Sequence, residues 1–475
     1  MGKADVGRLV LPALGAIGAG SAIARDGDLD RSLGTIGKVF MKYPDGSFID
    51  SYNVDAALQP DGKLLLASSR NVADPDYDFG VLRLLPNGSI DTTFGTGGQA
   101  FFAIDRVGSE KGDHVVGIAL QPDQKIVLAG FADGDNLTGQ DMAVVRLNAN
   151  GSIDTAFGAN GVAIVQFNLG NCSANGCVDQ GLRVNLQGDG KILVAGQASS
   201  NQVASTYSST FAIVRLTTSG VRDSTFDIDG RVTMTFGAGD QARAFRIKQL
   251  ADAAHLVVVG GANTAPGSIN SDFALARLNA DGSLDSTFGV GGKVTYGFDL
   301  GGGKADIATD FVELPDGKLM VCGQVEVNAP ANYDFGCMRF LASGVPDPAF
   351  SPVLVPFDFG GQFSDAPLRI ELDPRGRFVV AGFAEGVSGN YDFALVRLMP
   401  DGALDTTFGN GGLATFDSLP GSGVTERDNL ASGLAIQPDG RIILAGTSRT
   451  STGSPEFEVV RVIGDTVFSN GFDAF

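Results

Sequence analysis

Seven aspartates, Asp50, Asp113, Asp179, Asp240, Asp306, Asp365 and Asp428, recur at comparable points along the sequence, each near the start of a short apolar run. If those runs line a central channel, the carboxylates ring one mouth of it and form a binding site for a cation or a basic ligand. A divalent cation is a candidate occupant, its identity unknown. The same aspartates also suit a structural task, accepting backbone hydrogen bonds where a loop enters its strand. His114, beside Asp113, adds a candidate base at that mouth, and Glu326 with Glu385 could supply an acid–base pair. No residue is assigned as catalytic.

Seven arginines share one position as well: Arg83, Arg146, Arg215, Arg277, Arg339, Arg397 and Arg461, each flanked by apolar residues. A feature repeated seven times points to the scaffold, since one active centre needs residues that break the repeat. A buried Arg must be paired, and Asp91, Asp154, Asp223, Asp285, Asp347 and Asp405 are the nearby acids. The alternating oxygens of Asn279, Asp281, Ser283 and Asp285 fail as a calcium loop, because no bidentate Glu follows at the required offset. No nucleophile elbow, phosphate loop, dinucleotide fingerprint or zinc-spaced histidine set is present. The residues favour a binding or structural module over an enzyme.

The elements that position these groups are read from the repeat. The six intervals from Arg83 to Arg461 average 63 residues. Each contains an apolar run, a Gln-Pro-Asp-Gly-Lys-type turn, a second run ending Ala-Gly, a variable loop, a Phe-Ala-Leu-Val-Arg-Leu-type run, an Asn/Asp-Gly turn and a Gly-Gly-Lys-Val-type segment. Four short β-rich runs separated by Gly, Pro, Asn and Asp predict a four-stranded antiparallel propeller blade. The variable segments Asn71 to Tyr77, Asp133 to Gln140, Gln197 to Ser209, Ala262 to Ser271 and Gln324 to Tyr333 then fall on one face, where a partner could be recognised.

A solenoid would need atypical caps at its ends. Here the ends complement each other instead. Residues Gly27 to Val39 reproduce the tail of a repeat, while the last repeat stops after Glu458-Val-Val-Arg-Val-Ile463 without one. The expected fold is therefore an all-β, seven-bladed propeller of four-stranded antiparallel blades, closed by pairing of the N-terminal strand with the C-terminal blade, which removes exposed edges.

The phrase Asp-Phe-Ala-Leu-Ala-Arg-Leu-Asn-Ala-Asp-Gly-Ser-Leu-Asp-Ser-Thr-Phe-Gly at Asp272 to Gly289 resembles the delta-60 repeat family of bacterial β-propellers. The likeness spans Asp28 to Ile463. Departures occur at Thr210, Asp227, Gln249-Leu-Ala-Asp252 and Pro348-Ala-Phe-Ser351, which leave individual turns open. The resemblance implies an envelope or extracellular propeller and carries no family-wide activity.

Composition sets further bounds. A formal charge of −20 opposes a phosphate-tracking surface, so nucleic acid is not an expected partner. Lys3 and Arg8, the apolar stretch Leu9 to Ala24 and the polar Arg25-Asp-Gly-Asp28 have the order of a secretory signal. The expected organisation is a signal peptide over 1–24, a propeller over 25–464 and a tail over 465–475 resembling a sorting motif. The mature chain is expected to be a monomer with no membrane span, secreted, periplasmic or extracellular. Cys172 and Cys177 are the disulfide candidates, whereas Cys322 and Cys337 replace small hydrophobes of sister repeats and are expected to be buried and unbridged. Absence of Trp weakens a carbohydrate-stacking site.

The reading is an exported, non-enzymatic binding scaffold for a protein, glycan or cell-surface component. A hydrolase or lyase centred on the channel mouth and a purely structural envelope component are the alternatives. No resident cofactor is expected.

Overall fold

The computed structural model describes residues 24–34, 36–50, 53–73, 76–104, 112–134, 139–169, 177–200, 208–237, 241–263, 270–300, 305–328, 332–357, 364–386, 390–417, 427–450 and 454–464. Among them every regular element is a β-strand, and no helix is long and apolar enough to cross a membrane. Asp240, Cys172, most of the 1–24 leader, the 465–475 tail and parts of the variable loops lie outside the described residues.

The strands form four four-stranded sheets, one of five and one of eight. In a representative unit, Ala242–Gln249, His255–Asn263, Ser271–Asn279 and Lys293–Tyr296 pair antiparallel in chain order. Its second strand is buried almost throughout. Both of its faces are covered by protein, which is why Leu256-Val-Val-Val259 reads as a continuous apolar run rather than an alternating one. The eight-stranded sheet is two such meanders joined by a short parallel contact, Cys177 opposite Gly139 and Val178 opposite Gln140.

One four-stranded sheet draws on both ends of the chain. Strand Lys38–Met41 pairs antiparallel with Glu456–Val462, Lys38 opposite Val460, and that strand continues to Ile442–Thr450 and Arg427–Ile436. The first strands of the units, Asp55–Leu58, Asp113–Leu120, Cys177–Leu186, Ala242–Gln249, Asp306–Glu313, Asp365–Leu372 and Arg427–Ile436, contact one another in that order. The last of them contacts the first.

Between neighbouring sheets each of six recurrent arginines, Arg83 to Arg397, makes the same three contacts. Its Nε donates to the aspartate eight residues on, as in Arg83–Asp91 at 2.9 Å, Arg215–Asp223 at 2.8 Å and Arg397–Asp405 at 2.8 Å. Its guanidinium lies over a phenylalanine, 4.6 Å from the Phe94 centroid for Arg83 and 4.5 Å from Phe408 for Arg397. Its Nη1 reaches into the next unit, from Arg83 to the Ala149 carbonyl at 2.8 Å and from Arg339 to Pro400 at 3.1 Å. One side chain thus ties an ion pair, a cation–π contact and an interunit hydrogen bond together, satisfying a charge that would otherwise be costly to bury.

The recurrent phenylalanines Phe94, Phe157, Phe226 and Phe288 are completely buried. Each contributes about 1.5–3 kcal/mol of apolar burial.

The departures from the repeat keep their turns. Ala253 takes φ +56° where sister units place Gly62, Gly190 or Gly317, and the turn still closes through Leu250 N–H to His255 O at 2.9 Å. Asp227 likewise takes φ +51°, in a slot filled elsewhere by Gly95 or Gly289. A left-handed non-glycine residue costs roughly 1–2 kcal/mol, which these units tolerate.

Cys322 and Cys337 correct the expectation of two free thiols, because they are bridged. They are directly opposite on adjacent strands, with Cα atoms 4.1 Å apart. Each alone looked like an isolated small apolar substitution, and only the strand register shows that the two departures face each other. Cys177 is also bridged.

Candidate functional site

The register does not bring the seven aspartates to one level. Asp113, Asp179, Asp306 and Asp365 do occupy equivalent places, opposite Ala132, Ala198, Val325 and Ala384. In the other units that place belongs to Ala242 and Asn429. Asp428 is one residue away, and Asp50 follows the separate short strand Phe48–Ile49.

The four equivalent acids are buried, at 0–1 % exposure. Each accepts a backbone N–H from the end of the preceding fourth strand: Ile104 at 2.6 Å, Phe167 at 2.7 Å, Phe298 at 2.7 Å and Phe357 at 2.8 Å. Asp306 and Asp365 take a second one, from Glu326 and Glu385. Burial, and then the Asp141 charge, push Asp179 up to about 6; burial and Asp272 push Asp306 up to about 7. These geometries anchor a loop to its strand.

His114 stands apart from them. Its Nδ1 is 3.1 Å from Asp50 Oδ2, and its ring lies between Tyr77 and Phe131, at centroid distances of 4.7 and 4.9 Å. Glu326 and Glu385 sit in separate units, each accepting a backbone N–H, from Ala305 at 3.1 Å and Ser364 at 3.0 Å.

A different set of charges gathers where the first strands meet. Six of these strands shift register by one residue, between Val115 and Gly117, Gly181 and Arg183, Ala244 and Arg246, Ala308 and Asp310, Pro367 and Arg369, and Ala431 and Gly433. Such a bulge re-aims the following side chain. The residues after it are Gly117, Arg183, Arg246, Asp310, Arg369 and Gly433, and Asp55 holds the same register in the first unit, opposite Ala67.

Arg369 Nη2 is 2.9 Å from Asp55 Oδ1. Arg246 Nε and Lys248 Nζ approach Asp310 Oδ1 at 3.2 and 3.1 Å. Arg183 donates through Nη1 to the carbonyls of Val116 and Leu182.

Burial alone would raise both carboxyls. Instead Arg369, Arg183 and Arg246 hold Asp55 below its ordinary value, and Arg246 and Lys248 do the same for Asp310. Burial, followed by repulsion from Arg369, brings Arg183 down to about 9, so it remains a cation at neutral pH.

Above this cluster opens a cavity of about 390 Å³, lined by Asp55, Asn185, Arg246, Arg369 and Glu371 and by the apolar chains of Leu58, Ile118, Val184, Leu372, Leu434 and Ile436. Among the described residues no Ser, Cys, His or Tyr lines it, and its carboxylates are Asp55 and Glu371. Among the described residues no cluster of three or more His, Cys, Asp and Glu is arranged to hold a metal ion.

This cluster was missed in the sequence because the bulge hides it. Counted by simple spacing the charges look scattered; aligned on the register opposite Ala67 and its equivalents, Asp55, Arg183, Arg246, Asp310 and Arg369 share one position.

Strand pattern and repeat together define a β-propeller repeat protein. Six segments, 59–94, 121–157, 187–226, 255–288, 376–408 and 437–465, match the family described as a domain of unknown function (DUF5122) beta-propeller. Each begins near the turn after a first strand and most end on the recurrent phenylalanine or beside it. The unmatched unit between 289 and 375 carries the Cys322–Cys337 bridge.

No curated protein matches the sequence. Among solved structures, a Dyadobacter fermentans protein of unknown function is similar at 10% identity and TM-score 0.45, over 90% of this chain and 98% of that one. A Mycobacterium tuberculosis puromycin-hydrolyzing peptidase aligns at 13% identity and TM-score 0.44, over 88% of this chain and 56% of its own. A polysaccharide lyase, an ulvan lyase, aligns at 11% identity and TM-score 0.33, over 87% and 85%.

Proposed function

We propose that this chain is a closed, seven-bladed β-propeller that works outside the cytoplasm as a non-catalytic binding module, with the axial cavity as the seat of its ligand. Closure is supported by the pairing of Lys38–Met41 with Glu456–Val462 and by the contact of the last first-strand with the first. Export is supported by the basic, apolar and small-residue order of residues 3–24.

The observation that carries the binding role is the cavity itself. At this one level the repeat gives up apolar packing for Asp55, Arg183, Arg246, Asp310 and Arg369, groups that cost several kcal/mol each to desolvate. Scaffold needs do not demand them, because Gly117 and Gly433 serve the same position elsewhere.

The test is equilibrium binding by the mature chain to a panel of small anions, neutral sugars and divalent cations, repeated on Ala119→Phe, a substitution at an alanine of the cavity wall that fills the space. Saturable binding lost in that variant supports the reading; binding that survives the plug moves the site elsewhere, and turnover of a panel member would reject a non-catalytic role.

A further inference from the structure

The charges at the axis do not balance. Four cations, Arg183, Arg246, Lys248 and Arg369, share two buried carboxylates, Asp55 and Asp310, and Glu371 on the cavity wall supplies a third negative charge. One positive charge is left over in a chain whose formal net charge is −20.

The surplus has a location. Among the described residues no carboxylate forms an ion pair with Arg183, whose Nη1 reaches only backbone carbonyls. Arg246 Nε is buried without a hydrogen bond, since its approach to Asp310 is close enough for an ion pair but poorly aligned. A buried cation with unspent donors is costly, and an anion entering the cavity relieves that cost.

We propose that the axial cavity binds a small organic carboxylate, its head group against the lining Arg246 and Arg369, with the Arg183 charge behind them, and its carbon body against Leu58, Ile118, Leu372 and Leu434. The inference rests on the axial binding role proposed above.

Three features select this class. A single surplus charge matches a monoanion, whereas a phosphate or sulfate dianion would overshoot it. The planar guanidinium fork suits a carboxylate geometrically. Aliphatic walls around a few convergent polar groups suit a molecule with one charged end and one apolar end.

The test uses calorimetric titration of the mature chain with butyrate, D-glucuronate, sulfate, glucose and butylamine in a buffer free of other carboxylates. Expected is one-to-one binding of butyrate or glucuronate, weakened by about tenfold or more in Arg183→Gln, which loses the surplus charge. Glu371→Gln provides the complementary variant, since its half-buried side chain can be neutralised without breaking a buried pair. It should tighten the same carboxylate by roughly threefold or more, at an effective dielectric near that of a protein surface.

Sulfate binding as tightly as the carboxylates, or a carboxylate affinity unmoved by both variants, would overturn the carboxylate assignment. Binding of glucose alone would overturn it too, while leaving an axial binding role standing. No binding by any probe up to roughly 10 mM, the edge of measurable affinity, would reject both.

Discussion

Arg461 and Asp30, 431 positions apart in sequence, meet with Nε 2.7 Å from Oδ2. In the other six units the arginine finds its aspartate eight residues further on; here the partner comes from the opposite end of the chain. Arg461 then passes its Nη1 to the Pro86 carbonyl at 2.8 Å, as its sisters do to the unit that follows them.

Breaking this contact should therefore cost more than its local geometry suggests. Asp30→Ala leaves Arg461, 4 % exposed, without its carboxylate, and a loss of about 3 kcal/mol is expected. Urea unfolding monitored by circular dichroism measures it, with Asp347→Ala as the within-repeat comparison. Equal costs would mean that the terminal contact is only one more clasp.

Stability should fall between pH 4 and pH 7. Asp179, Asp306 and Asp392 are raised to about 6, 7 and 6, chiefly by burial, above an unfolded value near 3.9. The folded state then binds more protons than the unfolded state, so their contribution is fully present below about pH 3.9 and is lost as pH rises through the folded values. Asp223 and Asp285 are held at about 2, hydrogen-bonded by Thr225 and Thr287 against the opposing effect of burial. Their contribution is present above about pH 3.9 and is lost as pH falls toward 2. Chemical-denaturation midpoints across pH 2–8 should peak near pH 4, and Asp306→Asn should flatten the neutral side of the curve.

Replacing the bridged pair by the residues of a sister unit, Cys322→Ala with Cys337→Val, should be tolerated structurally, since Ala67 and Val81 face each other at the same place. The bridge closes a separation of 15 residues, for which a loss of up to about 3 kcal/mol is expected. Thermal unfolding of the variant against the oxidised parent reads this directly. An unchanged Tm would make the bridge irrelevant to equilibrium stability.

His114→Ala should act on stability rather than on chemistry. The ring is packed between Tyr77 and Phe131 and held by Asp50, so its removal should cost roughly 1–3 kcal/mol. Ligand affinity at the axial cavity should be unchanged, a pair of results that one denaturation curve and one titration provide.

The arginine position was legible because the contact is local in six of the units, with Arg83 and Asp91 on neighbouring segments of one unit. The aspartate position was read less well. Taking the aspartate near the start of each first run places Asp240 and Asp428 in the same ring as Asp113, but strand register gives that place to Ala242 and Asn429. The axial cluster was illegible for a related reason. Arg183, Arg246 and Arg369 belong to three units, and their grouping depends on one extra residue in each strand and on contacts between units, from Arg183 with Val116, 67 positions away, to Arg369 with Asp55, 314 positions away.

The sheet that joins Lys38–Met41 to Glu456–Val462 also orders events in time. A chain emerging from a ribosome presents Lys38–Met41 hundreds of residues before its partner strand arrives. Until then that edge is unsatisfied, and every incomplete product, whether stalled, nicked or prematurely terminated, keeps it exposed. The last strand therefore acts as a proofreading mark: only a full-length chain can hide its own beginning from proteases and from sticky neighbours.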